Sequence, residues 1–150
     1  MEIERKLQEM GLSLPEWEAP IANYVSSVRT GNLLFVAGHV GDTTDAIGQL
    51  GKEVTVEEGY EAARKTALAC LSTIKHAIGD LDKVKRFVKL LCMVNSAPGF
   101  SDQPSVANGC SDLLVELYGD RGRHARSAVG MAGLPINACI EIEMIVEVED

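Results

Sequence analysis

Apolar and polar positions alternate most regularly at the end of the chain. Ile140, Ile142, Met144, Val146 and Val148 interleave with Glu141, Glu143, Glu147 and Glu149. A period of two predicts a strand with one buried and one acidic face. A second pattern has the helical period. Tyr60, Ala63, Ala67, Leu71, Ile74 and Ile78 recur every three or four residues, behind a Thr55-Val56-Glu57-Glu58 capping box and ahead of Gly79. This predicts a long helix whose alanine-rich stripe suits close packing on a sheet.

Weaker signals fill in the rest. Ile3, Leu7 and Met10 mark a short helix over residues 2–10, and Gly11–Pro20 reads as an extended connection. Residues 23–29 and 32–39 read as strands joined by Thr30-Gly31-Asn32. Gly38, Gly41 and Asp42 close the second of them, and residues 42–53 form a loop. Residues 83–95 read as a strand apolar on both faces, with Val84, Val88, Leu90, Cys92 and Val94 on one and Phe87, Leu91 and Met93 on the other. Ser101 or Asp102 starts a second long helix, with Pro104 in its first turn, Val106, Leu113, Leu114 and Leu117 buried, and Gly119 as its stop. A strand over 125–131, a Gly-Leu-Pro turn at 133–135 and the final strand over 140–149 complete the order β-β-α-β-α-β-β.

That order predicts an α+β sandwich, a single domain with two helices on one face of a mixed sheet. Two helices cover only one face of a sheet. A strand apolar on both sides therefore predicts association of copies through the open face.

Composition narrows the function. The chain has 150 residues, with 22 acidic against 14 basic side chains and a net charge of −8. Nucleic-acid affinity rests on lysine and arginine at phosphates, so this balance disfavours a nucleic-acid partner. No apolar run has the length of a membrane helix, and the first residues are charged where a signal peptide is apolar. The expected location is the cytoplasm, with no membrane partner. Cys70, Cys92, Cys110 and Cys139 form no Cys-x-x-Cys pair, and His39, His76 and His124 lack paired ligand spacing. Buried thiols and no metal site are expected. Neither a phosphate loop nor a nucleophile elbow is present.

Candidate chemistry concentrates near the end of the chain. Arg126 interrupts a small, apolar strand and cannot shed its charge, so it is exposed on an edge or paired with an anion. Glu141 and Glu143 lie on the non-core face of the following strand, where one of them could pair with Arg126 or orient a water. A structural Arg–Glu pair at a subunit interface fits the same pattern. Tyr24 reads as a half-buried strand tyrosine or a ligand contact, and Asn108, a weak helix former, as a side chain with a task or a solvent-facing residue. Ser127 falls on the strand face opposite Arg126.

The segment Ala22–Gly38, the helix Glu57–Ile78, Ala125-Arg126-Ser127, and Leu134-Pro135 leading into Ile140-Glu141-Ile142-Glu143 together resemble the RidA/YjgF family, also described as L-PSP endoribonucleases and translation inhibitors. The likeness is to its longer, chorismate-mutase-like subgroup, with residues 1–20 as an N-terminal extension. The resemblance implies a homotrimer with clefts between subunits. It also implies an enamine/imine deaminase that hydrolyses 2-imino or 2-enamino acids released by pyridoxal-phosphate enzymes, with no cofactor of its own. Carried over residue by residue, it makes Arg126 the substrate-carboxylate arginine and Glu141 the water-positioning glutamate. Tyr24, Gly38 and Asn108 become cleft residues, with His39 bringing an imidazole to the cleft lining. The chain departs from the family pattern at Ala37, His39, His124 and Ala128, where serine, glutamine, proline and cysteine are usual. A non-catalytic module binding a small carboxylate metabolite is the alternative, and an endoribonuclease a further one.

Overall fold

Thr55 opens the central helix as its sequence demands. Its hydroxyl accepts from the Glu58 amide at 3.1 Å, and the Glu58 carboxylate accepts from the Thr55 amide at 3.0 Å. In this computed structural model, which describes residues 1–41 and 46–150, helix α2 runs Val56–Ile78 and stops at Gly79. Asp42–Asp45, assigned to a loop by the sequence, lie outside the described residues. The other elements are α1 (Glu2–Glu9), β1 (Ser27–Thr30), β2 (Leu33–His39), β3 (Val84–Asn95), α3 (Gln103–Tyr118), β4 (Ala125–Met131) and β5 (Ile140–Val148).

The five strands form one mixed sheet in the order β1-β2-β5-β3-β4, with β3 and β4 parallel and every other pair antiparallel. Helices α2 and α3 pack on each other and on one face of this sheet. Their closest approach needs Gly109 on α3. A Cβ there would strike the carbonyl oxygen of Tyr60 and lie 3.1 Å from the Ala63 Cβ. Between helices and sheet, Ala63, Ala67, Leu71, Ile74, Leu90, Cys92, Leu113, Leu114 and Ile142 are fully buried.

Two local readings are corrected. The first strand begins at Ser27 rather than residue 23, because its ladder with β2 starts at the Ser27–Val36 pair. On β3, Phe87 faces the core and Val88 the open side, the reverse of strict alternation, because a bulge sits between Phe87 and Lys89. Asp102 starts α3 as the sequence places it, its carboxylate accepting from the Ser105 hydroxyl at 2.6 Å.

The N-terminal segment forms a strap. Ile3 and Leu7 of α1 enter the core beside α3, and residues 11–20 cross α2 without regular structure. Ser72 donates to the Pro15 carbonyl at 2.7 Å, and Trp17 stacks on His76 with ring centroids 3.5 Å apart. Among the described residues no helix lies on the opposite face of the sheet. On it Val28, Leu33, Phe35, Val88 and Val129 are each more than a third exposed.

Candidate functional site

The Arg126 strand position follows from parallel pairing with β3. Arg126 sits opposite Leu90, whose own partner on β5 is Met144, and both of those residues are buried against the helices. Arg126 is thus on the helix side of an edge strand, where α3 meets it. Its Nη1 donates to Asn108 Oδ1 at 2.8 Å and to Ser111 Oγ at 3.1 Å. Asn108 and Ser111 are three apart on α3 and so share a face. Behind Ser111, His124 Nε2 lies 2.9 Å from the hydroxyl, and His124 Nδ1 lies 2.7 Å from the Gly122 carbonyl. Burial, with a smaller push from the Arg126 charge, holds the His124 pKa below its ordinary value.

The two protons on Nη1 are thereby used. The Nε–Nη2 edge has no protein acceptor, and no carboxylate pairs with Arg126 among the described residues. A guanidinium edge of that shape takes a carboxylate through two parallel hydrogen bonds.

Glu141 lies elsewhere. It is opposite Met93, on the face away from the helices, and β3 separates its strand from β4. The backbones of Arg126 and Glu141 are two strand spacings apart, about 10 Å, and three residues apart along the strand, about 10 Å more. The expected cross-strand pair of Arg126 with Glu141 or Glu143 therefore does not form within one chain. The order of strands in sequence is not their order in the sheet. Glu141 instead packs its carboxylate over Gly38, where a Cβ would collide with Oε2 and lie 3.1 Å from Cδ. The Glu141 carboxylate has no hydrogen bond or ion pair among the described residues.

The remaining expected residues are dispersed. Tyr24 is 57% exposed, just before β1, at the sheet edge opposite Arg126. His39 turns to the helix side, away from Glu141, with Nδ1 2.5 Å from the Ala37 carbonyl and Nε2 2.7 Å from Thr73 Oγ1. There it lines a cavity of about 580 Å³ with Pro15, Trp17, Leu68 and Thr73, which neither Arg126 nor Glu141 reaches. Of the residues expected in a site, the structure joins Arg126 with Asn108 and Gly38 with Glu141. Ser111 and His124 were missed as site residues, although the i, i+3 spacing from Asn108 and the even spacing from Arg126 carried the signal. Among the described residues no group of three or more His, Cys, Asp or Glu side chains could hold a metal ion, and no helix is long and apolar enough to cross a membrane.

Residues 4–148 match the family model described as "YjgF/chorismate_mutase-like, putative endoribonuclease". Protein TCP17 of Trypanosoma cruzi is 48% identical over 148 residues, covering 96% of this chain and 92% of that protein. A 2-iminobutanoate/2-iminopropanoate deaminase of Dermatophagoides farinae is 28% identical, covering 92% of this chain and 95% of that one. Among solved structures, an endoribonuclease-named protein of Shewanella oneidensis superposes with a TM-score of 0.92 at 31% identity, covering 99% of this chain and 100% of the other.

Proposed function

This chain belongs to the YjgF/chorismate-mutase-like family, and on that premise we propose that it is an imine deaminase-type hydrolase acting on small 2-imino or 2-enamino acids. The observation that carries this reading is the Nε–Nη2 edge of Arg126, a half-buried cation whose partners among the described residues are neutral. The name of the mite relative supports the same chemistry.

Arg126 anchors the substrate carboxylate, with Asn108 and Ser111 fixing the guanidinium plane. Anchoring leaves the imine carbon to be met by a water that Glu141 orients and deprotonates. Hydroxide adds to that carbon while the proton taken by Glu141 passes to nitrogen, giving a carbinolamine; its hydroxyl proton then moves to the departing nitrogen as the C–N bond breaks and C=O forms, and 2-oxo acid and ammonia leave. An imine is already electrophilic, so positioning and one carboxylate suffice, and the step needs no cofactor.

Because Arg126 and Glu141 are on opposite faces of one sheet, this reading joins them across an interface between copies, in clefts of a homotrimer. The exposed apolar side chains of the helix-free face supply the surface for that association. The endoribonuclease named in the family description fits less well, because the net charge is −8.

The test generates 2-iminopropanoate or 2-iminobutanoate in situ in the presence of semicarbazide, and follows semicarbazone formation. Wild-type protein is expected to suppress the semicarbazone, whereas Arg126→Ala and Glu141→Gln do not. Suppression no faster than without protein would overturn the reading for these substrates.

A further inference from the structure

The hydrogen bonds behind Arg126 run in a fixed direction, set at their far end. The Gly122 carbonyl can only accept, so His124 Nδ1 carries the proton that spans the 2.7 Å between them. A neutral imidazole protonated at Nδ1 has a bare Nε2. Ser111 therefore donates its hydroxyl proton to Nε2 across 2.9 Å. Its lone pairs are then turned to the Arg126 Nη1 proton at 3.1 Å. The sequence carbonyl, imidazole, hydroxyl, guanidinium has every donor matched to one acceptor.

We propose that His124 and Ser111 are positioning residues for Arg126, holding the guanidinium with its Nε–Nη2 edge turned to an incoming carboxylate, and that they do so only while the imidazole is uncharged. The inference rests on the reading of Arg126 as a carboxylate anchor and adds to it a means of control. A proton on Nε2 would turn an acceptor into a second donor aimed at Ser111. Two cations would then face one hydroxyl oxygen, and the more mobile of them, the arginine, is displaced. Arg126 is the charged group acting on His124; α3 presents the Ser111 hydroxyl and the preceding turn a backbone carbonyl. In that turn Asp120 is engaged by Arg123 at 3.4 Å.

Calorimetric titration of 2-oxobutanoate into the full chain tests this without relying on turnover. The ligand stays ionised across the range, from about pH 5 to about pH 8, in which a histidine titrates. Wild-type affinity is expected to fall about tenfold toward the acid end, and Ser111→Ala and His124→Ala to bind about tenfold more weakly at the alkaline end. His124→Gln, whose amide oxygen accepts from Ser111 and cannot titrate, is expected to keep the affinity and lose the pH dependence. Affinity that rises toward low pH, or a His124→Gln profile identical to wild type, overturns the relay. If Arg126→Ala alone abolishes binding while Ser111→Ala and His124→Ala match wild type, the relay fails and the anchor stands. If wild-type protein binds no carboxylate, both fall together.

Discussion

Replacing Gly38 by alanine separates a catalytic cost from a structural one. The new Cβ would overlap Oε2 of Glu141 and sit 3.1 Å from Cδ and 3.4 Å from Cγ. Gly38 is absent from the residues with positive φ, so alanine meets no backbone strain there. The atom in the way is the end of a flexible side chain, which can rotate aside. The expected stability change is therefore small, within about 0.5 kcal/mol. The carboxylate, however, must retreat by about 1 Å or more, and a misplacement of that size at a catalytic group costs on the order of a hundredfold in rate. Semicarbazone competition gives kcat/KM, and thermal unfolding gives stability. The expected outcome is a melting temperature close to wild type with activity down to near that of Glu141→Gln. Full activity in Gly38→Ala alongside an inactive Glu141→Gln would refute the placement of Glu141 as the water-orienting group.

Other outcomes follow from the same geometry. Gly109→Ala is the converse case, because its Cβ meets the Tyr60 backbone, 2.9 Å from the carbonyl carbon, which cannot rotate away. Overpacking of about 1–3 kcal/mol, read as a melting point lowered by about 3–10 °C, is expected with kcat retained. Asp82 holds α1, accepting from the amides of Glu2 at 2.8 Å and Ile3 at 2.9 Å. Burial pushes its pKa up, but the Met1 ammonium and those amides prevail and hold it at about 2, below the ordinary 3.8. A depressed pKa stabilises the fold fully above the unfolded value and is lost as pH falls through the folded one. Protection of the α1 amides, taken relative to intrinsic exchange at each pH, is thus expected to fall from pH 3.8 toward about pH 2, and Asp82→Asn to abolish that window. Burial raises the Cys92 thiol to about 12 and Cys139 to about 11, and raises Cys70 and Cys110 as well, so a thiol reagent should label none of the four until the chain unfolds. Phe35→Lys, on the helix-free face, is expected to leave the circular dichroism unchanged and to reduce the mass measured by light scattering.

What the sequence disclosed was whatever is fixed by residues near one another along the chain. Thr55 and Glu58 make their box within one turn, and the stripe of Ala63, Ala67, Leu71 and Ile74 is buried as its spacing predicts. The acidic face of β5 was equally plain, and Glu141 and Glu143 lie on it. Hidden from view was everything set by a neighbour distant in sequence. Insertion of β3 between β4 and β5 pulls Arg126 away from Glu141, and nothing in either strand announces it. The β3 bulge exchanges Phe87 for Val88 because core volume outweighs alternation. Ser111 gains its role only from Arg126 and His124, which the chain brings beside it from 15 and 13 residues away.

The separation of Arg126 from Glu141 makes one last prediction that discriminates between sites within and between copies. If each cleft takes its arginine from one copy and its glutamate from the next, Arg126→Ala and Glu141→Gln damage different halves of the same cleft. Neither pure variant has an intact site. When the two are unfolded together in equal amounts and reassembled, a cleft is intact whenever a Glu141→Gln copy supplies the arginine and an Arg126→Ala copy the glutamate. In a closed ring of head-to-tail copies mixed at random this happens at about a quarter of the interfaces. Activity of about a quarter of wild type is therefore expected from two inactive proteins, and the fraction does not depend on the number of copies in the ring. A site built within a single chain would give none at any mixing ratio, and that result would refute the shared cleft. It would leave the Arg126–Asn108–Ser111 cluster intact as an anion site.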